Sequence, residues 1–153
     1  PMNTAPTHDI DAHVHRATLI TGAIAMSILI IMGVGWFAVG QDAVEPVGGP
    51  PILPLALAAF GVLALIGAGA VSRILLQAAR SRTSAAERLG AASSAHIVGA
   101  ALRESAAVVG LVATFISGDT TWVLALGALS LVAIGAAWPR RDVFEALARS
   151  DGA

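Results

Sequence analysis

Four long apolar windows constrain this chain more than any other feature: Thr18 to Val39, Ile52 to Ser72, Ala95 to Ser117 and Thr121 to Trp138. Three carry no charged residue, and the third carries only Arg103 and Glu104. Each is about 18 to 23 residues long, which at ~1.5 Å per residue matches the ~30 Å of hydrocarbon that a membrane helix crosses. Glycine and alanine are frequent in all four. Glycine weakens a helix in water, but lipid offers the backbone no competing partner and so enforces the helical state. With 56% hydrophobic and 12% charged residues and a mean hydropathy of +0.79, the chain is too apolar to bury its surface as a soluble domain of 153 residues. The expected fold is an all-α membrane protein. Four transmembrane helices (18–39, 52–72, 95–117, 121–138) form one domain over 18–138, between an N-terminal tail, 1–17, and a juxtamembrane tail, 139–153.

Arginine orients these helices. Arg73, Arg80, Arg82 and Arg88 fall around the central connection, Arg16 precedes the first window, and Arg140, Arg141 and Arg149 follow the last. The other two connections carry Asp42, Glu45 and Asp119 instead. The positive-inside bias then places both termini and the central loop in the cytoplasm of a bacterial-type inner membrane. Trp36 and Trp122 at the outer boundary and Trp138 at the inner one suit an amphipathic indole. Ala38-Val39-Gly40 has the form of a processing site, but the tail containing Asp9 and Asp11 and the length of the apolar run argue against a cleaved leader.

Local signals refine the boundaries. Pro54 is tolerable in a helix's first turn, where its missing N–H is unpaired anyway. Ser84-Ala85-Ala86-Glu87 has capping-box spacing, so the third helix is expected to start near Ala85, well before the membrane. After Pro139 a short amphipathic helix is expected to lay Val143, Phe144 and Leu147 on the lipid surface, with Arg140 and Arg141 near headgroups.

Chemistry-bearing motifs are few. His8, Asp9, Asp11, His13 and His15 are ligand types that suit a divalent transition metal, and His8, Asp11, His13 and His15 form the candidate set; the competing reading is a solvated tail. Cysteine and lysine are absent, which removes thiolate sites, disulfides and thiol nucleophiles. No phosphate loop, zinc-protease helix or nucleophile elbow occurs, so no enzymatic activity and no cofactor are expected. Topology alone accounts for the arginines, and no nucleic-acid partner is expected.

The intramembrane pair Arg103-Glu104 is the sharpest functional feature. Adjacent residues point about 100° apart around a helix, so the two must look to different partners. Arg103 leans toward the helix N-terminus and is expected to lift its guanidinium toward cytoplasmic water. It shares a face with His96, Gly99, Ala106, Gly110 and Thr114, a strip along which another helix can approach closely. Gly99, Ala106 and Gly110 are therefore the packing candidates. Glu104 lies near the bilayer centre, at the expected depth of Ser27, Ser105 and Ser130, and these residues with Arg103 form a candidate ion-binding layer. Two readings follow: a carboxyl that ties helices together, or one that carries a proton or cation.

The run Ala101-Leu102-Arg103-Glu104-Ser105-Ala106-Ala107-Val108-Val109-Gly110-Leu111-Val112 resembles the carboxylate helix of the rotary ATP synthase ring proteolipid. That resemblance implies Glu104 as an ion-binding acid. The chain departs from the proteolipid pattern in its sparse glycines, Gly61, Gly67 and Gly69, in its long inner loop and in its two additional helices. As a whole it looks more like small four-span bacterial integral membrane proteins of unassigned function that carry a similar Ala-Leu-x-Glu-x-Ala-Ala helix. This second resemblance implies the architecture and no activity. The leading expectation is an accessory or assembly role based on helix packing, with the lipid bilayer and a second copy or a larger membrane complex as partners. The alternative is proton or cation translocation through Glu104.

Overall fold

The computed structural model describes residues 7–41 and 45–149, with side chains from Asp9 onward. The described residues form five helices and no strand: α1 (Thr7–Gly40), α2 (Ile52–Arg80), α3 (Ala85–Ser117), α4 (Thr121–Ala136) and α5 (Arg141–Arg149). Three of them, α1, α2 and α3, are long and apolar enough to cross a membrane. A fourth span is reached if α4 and α5, bent by 46° across a short break, are taken together. The helical, multi-pass character read from the apolar windows is thus present.

The central element is α3, which packs against all four other helices. Ser84 begins it from an extended backbone, φ −103° and ψ 149°, and its Oγ accepts from the Glu87 N–H at 3.2 Å. Only half of a capping box forms, because the Glu87 carboxylate accepts from the Thr83 hydroxyl at 3.3 Å rather than from Ser84. Gly118 ends α3 in the left-handed region at φ 74°, which a Cβ would disfavour, and its N–H reaches the Thr114 carbonyl at 2.8 Å. The next turn hangs on Thr114: its hydroxyl donates to the Asp119 carbonyl at 3.1 Å and accepts from Val123 N–H at 3.1 Å, drawing α4 back along α3. In α2, Pro54 occupies the first turn.

Small residues set the helix separations around the C-terminal half of α3. A Cβ on Gly110 would come within 2.9 Å of the Trp122 carbonyl oxygen and 3.1 Å of the Val123 Cα, so α3 and α4 meet backbone to backbone. On Gly35 of α1 it would lie 2.8 Å from Val123 Cγ1. Ala106 is fully buried, and its carbonyl faces Gly61 of α2. Gly99, Ala106 and Gly110 therefore all lie against protein.

The opposite end corrects two expectations. Residues from Thr7 onward continue α1 without a break, so this part of the N-terminal tail is helix rather than solvated chain. Its spacing explains why: Ile10, Val14 and Ala17 share one face and join a cluster with Leu89, Ala92, Phe144, Leu147 and Ala148. The second correction concerns α5, whose apolar face meets protein and not lipid. Phe144 is fully buried there, stacked on the His96 ring with centroids 5.6 Å apart.

Candidate functional site

Glu104 and Arg103 part company as adjacent helical residues must. Glu104 faces α1, where Ser27 Oγ donates a hydrogen bond to its Oε1 across the α1–α3 seam. This bond joins parallel helices at matching depth. Ile28 next to Ser27 is fully buried against Ala107, which fixes the register around the pair.

The two other serines of the expected layer do not join it through hydrogen bonds to Glu104. Ser130 is fully buried on α4, but its hydroxyl donates to the Leu126 carbonyl at 2.8 Å. Ser105 donates to the Leu102 carbonyl at 2.7 Å. A helical serine always has such a carbonyl one turn back, and in lipid that internal partner competes with a neighbouring helix. Equal depth therefore does not secure a shared network.

Arg103 also departs from expectation. Its side chain runs back one turn as the helix geometry requires, but it stops inside the protein and the residue is only 7% exposed. A Cβ on Gly99 would overlap Ser72 Oγ of α2 and come within 2.8 Å of Arg103 Nη1, so the absence of that Cβ makes room for both groups. The Ser72 hydroxyl donates to the Ala68 carbonyl at 2.8 Å. No carboxylate forms an ion pair with Arg103 among the described residues. Toward α5, three buried polar atoms, Thr21 Oγ1, Ser93 Oγ and His96 Nε2, find no hydrogen-bond partner there either.

Comparison of the chain with known protein families, curated proteins and solved structures gives no match.

Arg88 is the residue that sequence reasoning passed over. It was grouped with the topology-setting arginines, yet it is only 5% exposed and donates to four carbonyls. Two belong to the end of α5, Leu147 at 2.8 Å and Ala148 at 3.4 Å, and two to the α2–α3 connection, Arg82 at 3.1 Å and Thr83 at 3.5 Å. A guanidinium there satisfies carbonyls that a helix end leaves open and opposes the negative end of its dipole. The available signal was position, since Arg88 lies four residues before Ala92 and seven before Ala95 on a buried stripe.

Among the described residues the N-terminal ligand types do not gather. On a helix, residues two apart point about 200° apart, which separates Asp11 and His15 from His13. Asp11 pairs with Arg141 at 3.5 Å and His13 Nδ1 donates to the Asp9 carbonyl at 2.8 Å. Among the described residues no three His, Asp or Glu side chains form a group that could hold a metal ion. The side chain of His8 lies outside the described residues.

Proposed function

We propose that this chain is a non-enzymatic four-span protein of a bacterial-type inner membrane with an accessory or assembly role, in which Glu104 serves helix packing. The observation that carries the reading is the Ser27 to Glu104 hydrogen bond between α1 and α3, while Ser105 and Ser130 bond to their own helices. A carboxyl with one hydroxyl partner on a neighbouring helix acts as a tie, and such ties across membrane helices are worth about 0.6 to 2 kcal/mol. The small-residue contacts of Gly35, Gly99 and Gly110 support the same emphasis on close helix approach.

The orientation belongs to this proposal. Every described arginine except Arg103 lies toward the α5 end of the bundle, which supports cytoplasmic placement of both termini. As the fourth span, α4 is short at about 24 Å, and local thinning of the bilayer accommodates such a helix at modest cost.

Reconstituted vesicles test the role of Glu104. Glu104→Gln keeps a hydrogen-bonding group and should insert, fold and retain any co-purifying protein, whereas Glu104→Leu should lose about 1 to 2 kcal/mol of stability. Wild-type vesicles should show no proton or sodium flux above empty liposomes. A wild-type flux that Glu104→Gln abolishes would overturn the packing role in favour of ion translocation.

A further inference from the structure

We propose that an internal water molecule ties α1 to α3 one turn beyond the Phe144 cluster, held by Thr21 Oγ1, Ser93 Oγ and His96 Nε2. The site goes beyond the accessory role and does not depend on it.

Unmet hydrogen bonds come first. Thr21 is 2% exposed and Ser93 5%, and neither their hydroxyls nor the buried Nε2 of His96 has a hydrogen-bond partner among the described residues. Burying such a group without a partner is costly, and native structures satisfy it with protein or with ordered water. The default partner of a helical hydroxyl is a carbonyl one turn back. Ser72, Ser94, Ser105, Ser117 and Ser130 all take it, at 2.7 to 3.1 Å. Thr21 and Ser93 do not, so their hydroxyls are aimed away from their own backbone.

Position joins the three groups. The parallel helices α1 and α3 are fastened at two levels: Ala17 and Ala92 belong to one cluster with Phe144, and Ser27 bonds to Glu104 further along. Thr21 lies four residues after Ala17 and six before Ser27, while His96 lies four after Ala92 and eight before Glu104. They are the next turn of two facing stripes, and at ~1.5 Å per residue they share a level to within about 3 Å. Ser93 precedes His96 by three residues on the same face. A helical side chain leans toward the helix N-terminus, which carries the imidazole back toward Ser93, and stacking on Phe144 at 5.6 Å between centroids holds the ring there.

Room and chemistry select water. Ala17, Ala92 and Ala95, which neighbour these groups, carry only methyls, and a Cβ on Gly22 beside Thr21 would meet nothing closer than the Trp138 ring at 4.0 Å. Each hydroxyl can donate or accept, and Nε2 does one or the other according to which ring nitrogen carries the proton. A molecule that does both satisfies all three in either case, and about three partners is the usual number for a buried water.

The test compares Thr21→Val, Ser93→Ala, their double variant and Thr21→Ser in mild detergent. Thermal melting is one measurement; the other is X-ray radiolytic labelling, in which hydroxyl radicals formed from a bound water oxidise the side chain beside it. Thr21→Val and Ser93→Ala should each lower the melting temperature by about 2 to 4 °C. The double variant should lose less than the two singles together, because they share one molecule, and Thr21→Ser should stay near the wild type. Labelling of His96 should fall several-fold in Thr21→Val and in the double variant. Melting temperatures unchanged or raised in both single variants would overturn the proposal, because removing a hydroxyl that has no partner relieves the cost of burying it. Losses that add in full, or His96 labelling unchanged in Thr21→Val, would overturn it as well.

Discussion

Helices α2 and α3 are of similar length and run side by side, yet they solve opposite problems. In its most apolar stretch α3 has 44% of its residues buried, against 17% for α2, and α3 is the less hydrophobic of the two. A soluble protein shows the reverse trend, because there burial is what removes apolar surface from water. In lipid the exposed face is already satisfied by Leu, Ile, Val and Phe, as at Phe60, Leu63 and Ile66 of α2. The buried face instead carries what lipid would not tolerate or what bulk would spoil: Arg88, Ser93 and Arg103, and Gly99, Ala106 and Gly110. Hydropathy therefore locates the membrane, and departures from it locate the neighbours.

The largest expected effect tests that contrast directly. Gly110→Leu pushes a side chain into the α4 backbone, where atoms already sit about 3 Å from the Cβ position, and should cost at least about 3 kcal/mol. Gly67→Leu, on α2, meets nothing within 4 Å of its Cβ and should leave stability nearly unchanged. Melting temperature and particle mass in mild detergent read both, and equal losses from the two substitutions would break the comparison.

Arginines supply the next test. Arg88→Gln on α3 leaves carbonyls of α5 and of the α2–α3 connection without their donor, and should lower stability by about 2 to 3 kcal/mol. Arg73→Gln on the exposed face of α2 should change it by less than about 0.5 kcal/mol. Faster hydrogen exchange across α5 in the first variant and not in the second is the local signature.

The smallest effect lies just beyond the C-terminal end of α3. The hydroxyl and backbone N–H of Thr121 hold the Asp119 carboxyl below its usual range, with the N–H bond at 2.9 Å. A carboxyl whose folded pKa is depressed stabilises the fold above its unfolded value, about 3.9, and loses that contribution as pH falls through the folded one. Asp119→Asn should therefore shift the melting temperature slightly at neutral pH, and the difference from wild type should vanish in acid. A gap that persists unchanged below pH 3 would assign the effect to geometry rather than charge.

The long helices were legible because charge-free windows are a one-dimensional signal. The start of α3 at Ala85 follows instead from the spacing of Ser84 and Glu87. Rotation about a helix axis is not carried by depth, which is why Ser27 was grouped with Ser105 and Ser130 although only Ser27 bonds to Glu104. The amphipathic face of Val143, Phe144 and Leu147 was equally legible, but the same pattern suits lipid or protein, and only tertiary structure supplied Ile10, Ala17 and Leu89 as the partners. Arg103 was misjudged for a related reason: the direction of its side chain follows from the helix, while the presence of α2 across its path does not.

The reach of Arg88 to the last carbonyls of α5 also sets an order of events during synthesis. A helix of nine residues does not persist alone in water, and the surface that receives Phe144 and Leu147 is built from α1 and α3, which leave the ribosome earlier. α5 thus docks on a surface that α1 and α3 build together, and its docking reports that those two helices have paired. A chain whose first and third helices fail to pair lacks the surface that holds Phe144 and Leu147, and so leaves α5 without the contacts that order it.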